Sequence, residues 1–101
     1  MDDQQRVAQF IETHELEAPP AYRLLDLLSE LGEVAKDAAE STAYGHEPEM
    51  LDISSDEVGD TLFALLAFAE SVDIDASEAL SESLAKYEQR LDESGSASSG
   101  A

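Results

Sequence analysis

The stretch Leu28-Ser29-Glu30-Leu31-Gly32-Glu33-Val34-Ala35-Lys36 decides the reading of this chain, together with Asp56-Glu57-Val58-Gly59-Asp60-Thr61-Leu62-Phe63-Ala64-Leu65-Leu66. Around the first, Leu24, Leu28, Leu31, Ala35 and Ala38 recur at steps of three and four, the spacing of one helix face. The second follows Ser54-Ser55, so an acid stands three residues after a serine, which is a helix-start signature. It then runs into residues 62–69, which are apolar on nearly every side. Such a helix must be covered on more than one face, and the stretch is expected to be buried partly between chains.

Working outward, the periodicity predicts a helix over about residues 21–44, with Gly45 as its stop, and another from residue 54 or 55 to about 72. Between them, residues 46–53 read as a loop containing Pro48. A first helix over residues 3–15 places Val7, Phe10 and Ile11 on one side and is ended by Pro19 and Pro20. A fourth, over residues 75–93, opens on the capped start Asp75-Ala76-Ser77-Glu78. Residues 94–101 are Ser, Gly and Ala, a composition that predicts a disordered tail after a domain spanning 1–93. There is neither a strand signal nor a fixed repeat. Short connections make the expected fold all-α: an antiparallel four-helix domain, assembled as a dimer or larger homo-oligomer because 101 residues bury only a modest core.

Charge narrows the function. Twenty-four acidic residues face five basic ones, a net charge of -19. Such a chain repels nucleic-acid backbones and anionic membranes. The apolar residues are too periodic for intrinsic disorder, so the acidity reads as adaptation to high salt, where self-repulsion is screened. Its only two lysines, Lys36 and Lys86, fit that reading. Cysteine is absent, which excludes disulfides, thiolate metal sites and a cysteine nucleophile. No run approaches the ~20 apolar residues of a membrane span. The acidic N-terminus is unlike a signal peptide, and the expected location is the cytoplasm.

Glu30 and Glu33 lie three apart in mid-helix and therefore point the same way; Glu57 and Asp60 repeat the spacing. If the two helices pack antiparallel, the pairs face each other. Any two like charges ~5 Å apart repel by roughly 3 kcal/mol at an effective dielectric near 20. Four clustered carboxylates therefore call for a cation, and hard oxygen donors select Mg²⁺, Mn²⁺ or Ca²⁺. The competing reading is a solvated acidic face, and Glu57 has a second one as the acid of a capping box. Asp60 is harder to dismiss, since aspartate is a poor helix former at the edge of an apolar run. Gly32 and Gly59 each cost about 1 kcal/mol relative to alanine, which suggests a close helix approach or clearance for a ligand.

The two quoted strings resemble the signatures of the MazG-like nucleotide pyrophosphohydrolases: Glu-x-x-Glu, a helix–loop gap, then Glu-x-x-Asp. The resemblance covers about residues 24–91. It implies an all-α fold, Mg²⁺ (or Mn²⁺) held by Glu30, Glu33, Glu57 and Asp60, a homo-oligomer, and cleavage of a nucleoside triphosphate to monophosphate and pyrophosphate. One of the four acids would help deprotonate the attacking water. Ser83-Leu84-Ala85-Lys86-Tyr87-Glu88-Gln89-Arg90 resembles the family's Lys-x-x-Lys-Asn-x-x-Arg segment, with Ser83 and Tyr87 replacing a lysine and the asparagine. Lys86 and Arg90 are then candidates for substrate phosphates, against pairing of Lys86 with Glu82 on the helix surface. His14, His46, Asp26, Asp37 and Glu40 read as solvated surface. Lys36 reads as part of the signature or as a partner of Glu33 or Glu40, and Tyr22, Tyr44 and Tyr87 read as packing residues. Two alternatives stay open: a phosphoribosyl-ATP pyrophosphohydrolase, and a non-catalytic acidic interaction module.

Overall fold

The computed structural model describes residues 1–94. The expected tail lies outside the described residues, except for Ser94, which closes the last helix. The elements are α1 (Asp3–Thr13), α2 (Pro20–Ser41), a 3₁₀ turn (Pro48–Met50), α3 (Ser55–Ser71) and α4 (Ala76–Ser94), with no strand among the described residues. None of these helices is long and apolar enough to cross a membrane.

Local chemistry explains the boundaries. Asp2 and Gln5 form a complete capping box at the start of α1: Asp2 Oδ1 accepts from the Gln5 N–H at 2.8 Å, and Gln5 Oε1 accepts from the Asp2 N–H at 2.9 Å. Pro20 opens α2, where the missing N–H costs nothing. That helix ends at Ser41, earlier than expected. Thr42 Oγ1 donates to the Ala38 carbonyl and accepts from the Gly45 N–H, and the chain turns left-handed at Ala43, Tyr44 and then Gly45 (φ 49°, 56° and 88°). The glycine completes a reversal that begins two residues before it.

α2 and α3 run antiparallel: Asp37, late in α2, meets Glu57, early in α3, whereas Arg23 shares a cavity with Ala67 and Ser71 at the other end. α1 lies along the same α3, with Phe10 edge-on to Phe63 at a centroid distance of 6.0 Å. Small residues make this possible, since Ala64 and Ala67, each 1% exposed, let two helices approach one. Ile11, Leu66 and Ala69 complete the core. The buried Arg23 guanidinium donates to the Leu16 carbonyl and ties the α1–α2 link to α2. Most of the apolar run 62–69 is thus covered within the chain, while Leu62 and Leu65 remain exposed.

Two expectations need revision. The stripe Leu24, Leu28 and Leu31 is not the core face of α2: all three are exposed, Leu28 by 65%. The covered positions of α2 are instead Arg23, Asp26, Leu27, Glu30, Val34, Asp37, Ala38, Ala39 and Ser41. The four expected helices are all present, but α4 has no extended packing against any of the other three and buries none of its residues. Leu80, Leu84 and Leu91 therefore stand exposed along it.

Candidate active site

The antiparallel α2–α3 pair carries all four sequence-predicted acids. Glu30 is half-buried, and its carboxyl is raised above the ordinary range by desolvation first, then by the charges of Asp60, Asp26, Glu33 and Asp56. Glu57, also half-buried, is raised to about 7. The largest cause is a side-chain hydrogen bond with Asp37, followed by desolvation and by the charges of Asp37, Glu33 and Asp56. Two carboxyls can share such a bond only when one holds a proton. With both ionised, Glu57 Oε2 is shielded from water and has no partner.

The acids thus form one electrostatic neighbourhood, with Asp60 acting on Glu30 and Glu33 acting on Glu57. Glu33 and Asp60 themselves are exposed. Among the described residues no three acids or histidines converge closely enough to enclose a metal ion. The donor chemistry nevertheless fits a hard divalent cation. Every donor is a carboxylate oxygen, and Glu57 Oε2 is shielded from water without a hydrogen-bond partner.

The capping explanation of Glu57 covers only its backbone. Ser54 Oγ accepts from the Glu57 N–H at 3.2 Å, but the Glu57 carboxylate turns to Asp37 instead of returning to Ser54. Asp37, which the sequence reading left on the solvated surface, is the residue it missed. The available signal was spacing: Asp37 stands seven residues after Glu30, two helical turns along the same face. Beside it, Asp37, Glu40, Ser41 and Asp52 line an open cleft of about 370 Å³.

Close helix approach does not explain the glycines within one chain, because a Cβ at Gly32 or Gly59 would meet nothing within 4 Å. Lys86 and Arg90 are set apart on α4, flanking one ring. The Lys86 ammonium is 5.0 Å and the Arg90 guanidinium 5.8 Å from the Tyr87 centroid. The surface pairing of Lys86 with Glu82 does not form; the ion pair among the described residues is Arg6–Asp3 at 3.0 Å. Arg90 Nη1 is shielded and unpartnered. The charges acting most on Glu30 and Glu57 are all carboxylates, and neither Lys86 nor Arg90 is among them. His14 and His46 are exposed as expected, whereas Tyr22 and Tyr44, expected to pack, are exposed too.

A helical scaffold with paired carboxylates across an antiparallel helix pair defines a class: small all-α proteins with an acidic face between two packed helices. The family model for the MazG nucleotide pyrophosphohydrolase domain matches residues 20–94, so the chain belongs to that family and is a nucleotide pyrophosphohydrolase. The match takes in α2, α3 and α4 and leaves α1 outside. No curated protein and no solved structure matches the chain.

Proposed function

We propose that the protein hydrolyses nucleoside triphosphates to the monophosphate and pyrophosphate in a Mg²⁺-dependent reaction. The observation that carries this reading is the antiparallel placement of Glu30 and Glu33 beside Glu57 and Asp60, with one Glu57 oxygen shielded and lacking a partner. Glu30, Glu33, Glu57 and Asp60 would hold the metal, which would supply charge neutralisation and acidify a water. Mn²⁺ meets the same donor set.

The chain's own residues do the rest. Asp37, against Glu57, fixes that carboxylate and can take a proton from it. One of the acids accepts the proton of the entering water as the α–β phosphoanhydride bond breaks; pyrophosphate leaves with the bridging oxygen. Lys86 and Arg90 bind phosphate oxygens, and Arg90 Nη1 has a donor to spare for one.

The working unit is a homo-oligomer in the cytoplasm of a cell with high internal salt. In support, Leu25 and Leu28 are each 65% exposed on α2, and α4 adds a second apolar face. The net charge of -19 opposes association until salt screens it. The test is pyrophosphate release from a panel of ribo- and deoxyribonucleoside triphosphates at high salt, with and without Mg²⁺. Metal-dependent release from at least one of them is expected. Release of orthophosphate instead, or equal rates without metal, overturns the reading.

A further inference from the structure

We infer that Gln4 is a positioning residue for this reaction, acting through α4 on the phosphate-binding cations. The inference rests on the assignment of Lys86 and Arg90 to substrate phosphates made above. Gln4 lies on α1, outside the part of the chain that the family model matches. Its side chain is half-buried and bonds three separate elements. Nε2 donates to Glu70 Oε2 in the last turn of α3 at 3.0 Å, and to the Ile74 carbonyl in the α3–α4 link at 2.7 Å. Oε1 accepts from the Ala76 N–H, the first of α4, at 2.6 Å. One amide thus uses both N–H donors and its carbonyl oxygen across the joint from which α4 departs.

Besides Gln4, the joint is held by two backbone bonds that tie the link to α3, from the Asp73 N–H to the Glu70 carbonyl at 3.2 Å and from the Ile74 N–H to the Ala69 carbonyl at 3.0 Å; neither reaches α4 itself. Asp75 caps α4 by accepting from the Glu78 N–H at 3.0 Å, a bond internal to the helix start. The link passes through Asp73 in the left-handed region, φ 57°. Beyond it α4 buries no residue and has no extended packing on another helix. Leu65, Phe68, Ala69 and Leu80 line an open cleft of about 310 Å³ in the wedge between α3 and α4. The helix is a lever held at one end. At 1.5 Å per residue, Arg90 stands about 21 Å along it from Ala76, so a 10° change at the joint moves the Arg90 backbone by about 4 Å. A displacement of that size exceeds the length of a hydrogen bond. The Gln4 amide is therefore placed where a small local bond network controls the position of a distant cation.

The chain has no cysteine, so a distance can be read without background labels. Cysteines introduced by Ala35→Cys on α2 and Glu88→Cys on α4, both exposed positions, carry a spin-label pair. Labelled chains are diluted into excess unlabelled protein, so that each assembly holds one pair. The distance distribution is expected to broaden or shift by several ångström on Gln4→Ala. In parallel, the KM for the best nucleoside triphosphate is expected to rise about tenfold with kcat nearly kept, and Gln4→Ala combined with Arg90→Ala to cost little more than Arg90→Ala alone. If Gln4→Ala does not fold, Gln4→Met keeps the bulk while removing all three bonds and gives the same readouts. An unchanged distance distribution overturns the inference. So does a KM that responds to Lys86→Ala and Arg90→Ala but not to Gln4 substitution. A KM indifferent to Lys86→Ala and Arg90→Ala sinks the phosphate assignment itself, and is told apart because the distances then change without kinetic effect.

Discussion

α3 and α4 are neighbours of similar length, and their surroundings are opposite. α3 is clasped by α1 and α2 and buries Ala64, Leu66, Ala67 and Ala69; α4 buries nothing and carries Leu84 59% exposed. The difference begins in side-chain size. Alanines on α3 admit two helices, whereas the leucines of α4 are separated by Ser, Glu and Lys and form a narrow stripe suited to one partner. The charges proposed to be functional divide along the same line. The acids sit on the firmly packed α2–α3 pair, where their mutual repulsion is held in place by the core. Lys86 and Arg90 sit on the helix that, among the described residues, has no extended packing partner. A metal site needs fixed geometry, and the four proposed ligands are on the rigid element. Phosphate contacts tolerate more motion, and the two residues proposed for them, Lys86 and Arg90, are on α4.

If the packed pair holds the chemistry, its acids should be the most sensitive positions. Glu57→Gln and Asp60→Asn, and likewise Glu33→Gln, are expected to lower pyrophosphate release by more than about 100-fold, beyond the range typical of outer-shell metal partners. The same variants should melt no lower than the parent without metal, since each removes one of several repelling charges. Full activity in Glu57→Gln and Asp60→Asn would falsify the site assignment. Asp37→Asn should come next, with a loss of about 10- to 100-fold, because it acts on Glu57 and not on the substrate. A loss as deep as that of Glu57→Gln would make Asp37 a direct participant.

The apolar faces of α2 and α4 sharpen the comparison from the other side. Leu25→Lys with Leu28→Lys is expected to yield a monomer by light scattering at high salt, with the parent a dimer or larger. A parent that is monomeric at micromolar concentration breaks the idea that a second copy covers these faces. The double variant should keep its helical content, because neither leucine contributes to the core of its own chain.

Acid titration separates the two regions again. Glu57 carries a folded pKa of about 7, above the ordinary carboxylate range, and Glu30 is displaced in the same direction. A raised acid favours the folded state while it holds its proton. Its contribution is complete below the unfolded value near 4.3 and is lost as pH rises through about 7. The metal-free protein should therefore melt lower at about pH 8 than at about pH 5.5, and Glu57→Gln should flatten that slope. Saturating Mg²⁺ should weaken it, since metal ligands bind deprotonated. An unchanged slope in Glu57→Gln assigns the effect to general self-repulsion of the chain.

How much was legible in the sequence follows from which forces act locally. Helix existence and starts were readable, because Asp2, Ser54 and Asp75 accept from N–H groups within their own first turns. The acid pairs were readable because three-residue spacing fixes direction on any helix. The core face of α2 was not. Periodicity shows that Leu24, Leu28 and Leu31 share a side, but not whether that side meets α3 or another chain. Asp37 was missed for a related reason: its significance depends on Glu57, twenty positions away, and appears only when the helices cross. The stand-off of α4 had no local signature, since an amphipathic helix reads the same whether its partner is in its own chain or elsewhere.

The smallest expected effect concerns Gly59, which lies between the two signature acids of α3. A Cβ there meets nothing within 4 Å, and the residue is exposed inside a helix. In the fold alone, glycine has no steric justification, and Gly59→Ala should stabilise the protein by about 0.5–1 kcal/mol through reduced freedom of the unfolded chain. If the space is kept for the nucleotide, the same substitution should raise KM while the melting temperature rises. That combination, a more stable and weaker-binding enzyme, is the expected result. It sets Gly59 with the acids as a functional position on the packed pair. Should the variant instead melt lower and lose its assembly, the open space is where a second chain comes close. A stabilised variant with unchanged KM would leave neither nucleotide nor partner near that face. Melting, light scattering and pyrophosphate release on one preparation separate the three outcomes, because each moves a different pair of readings.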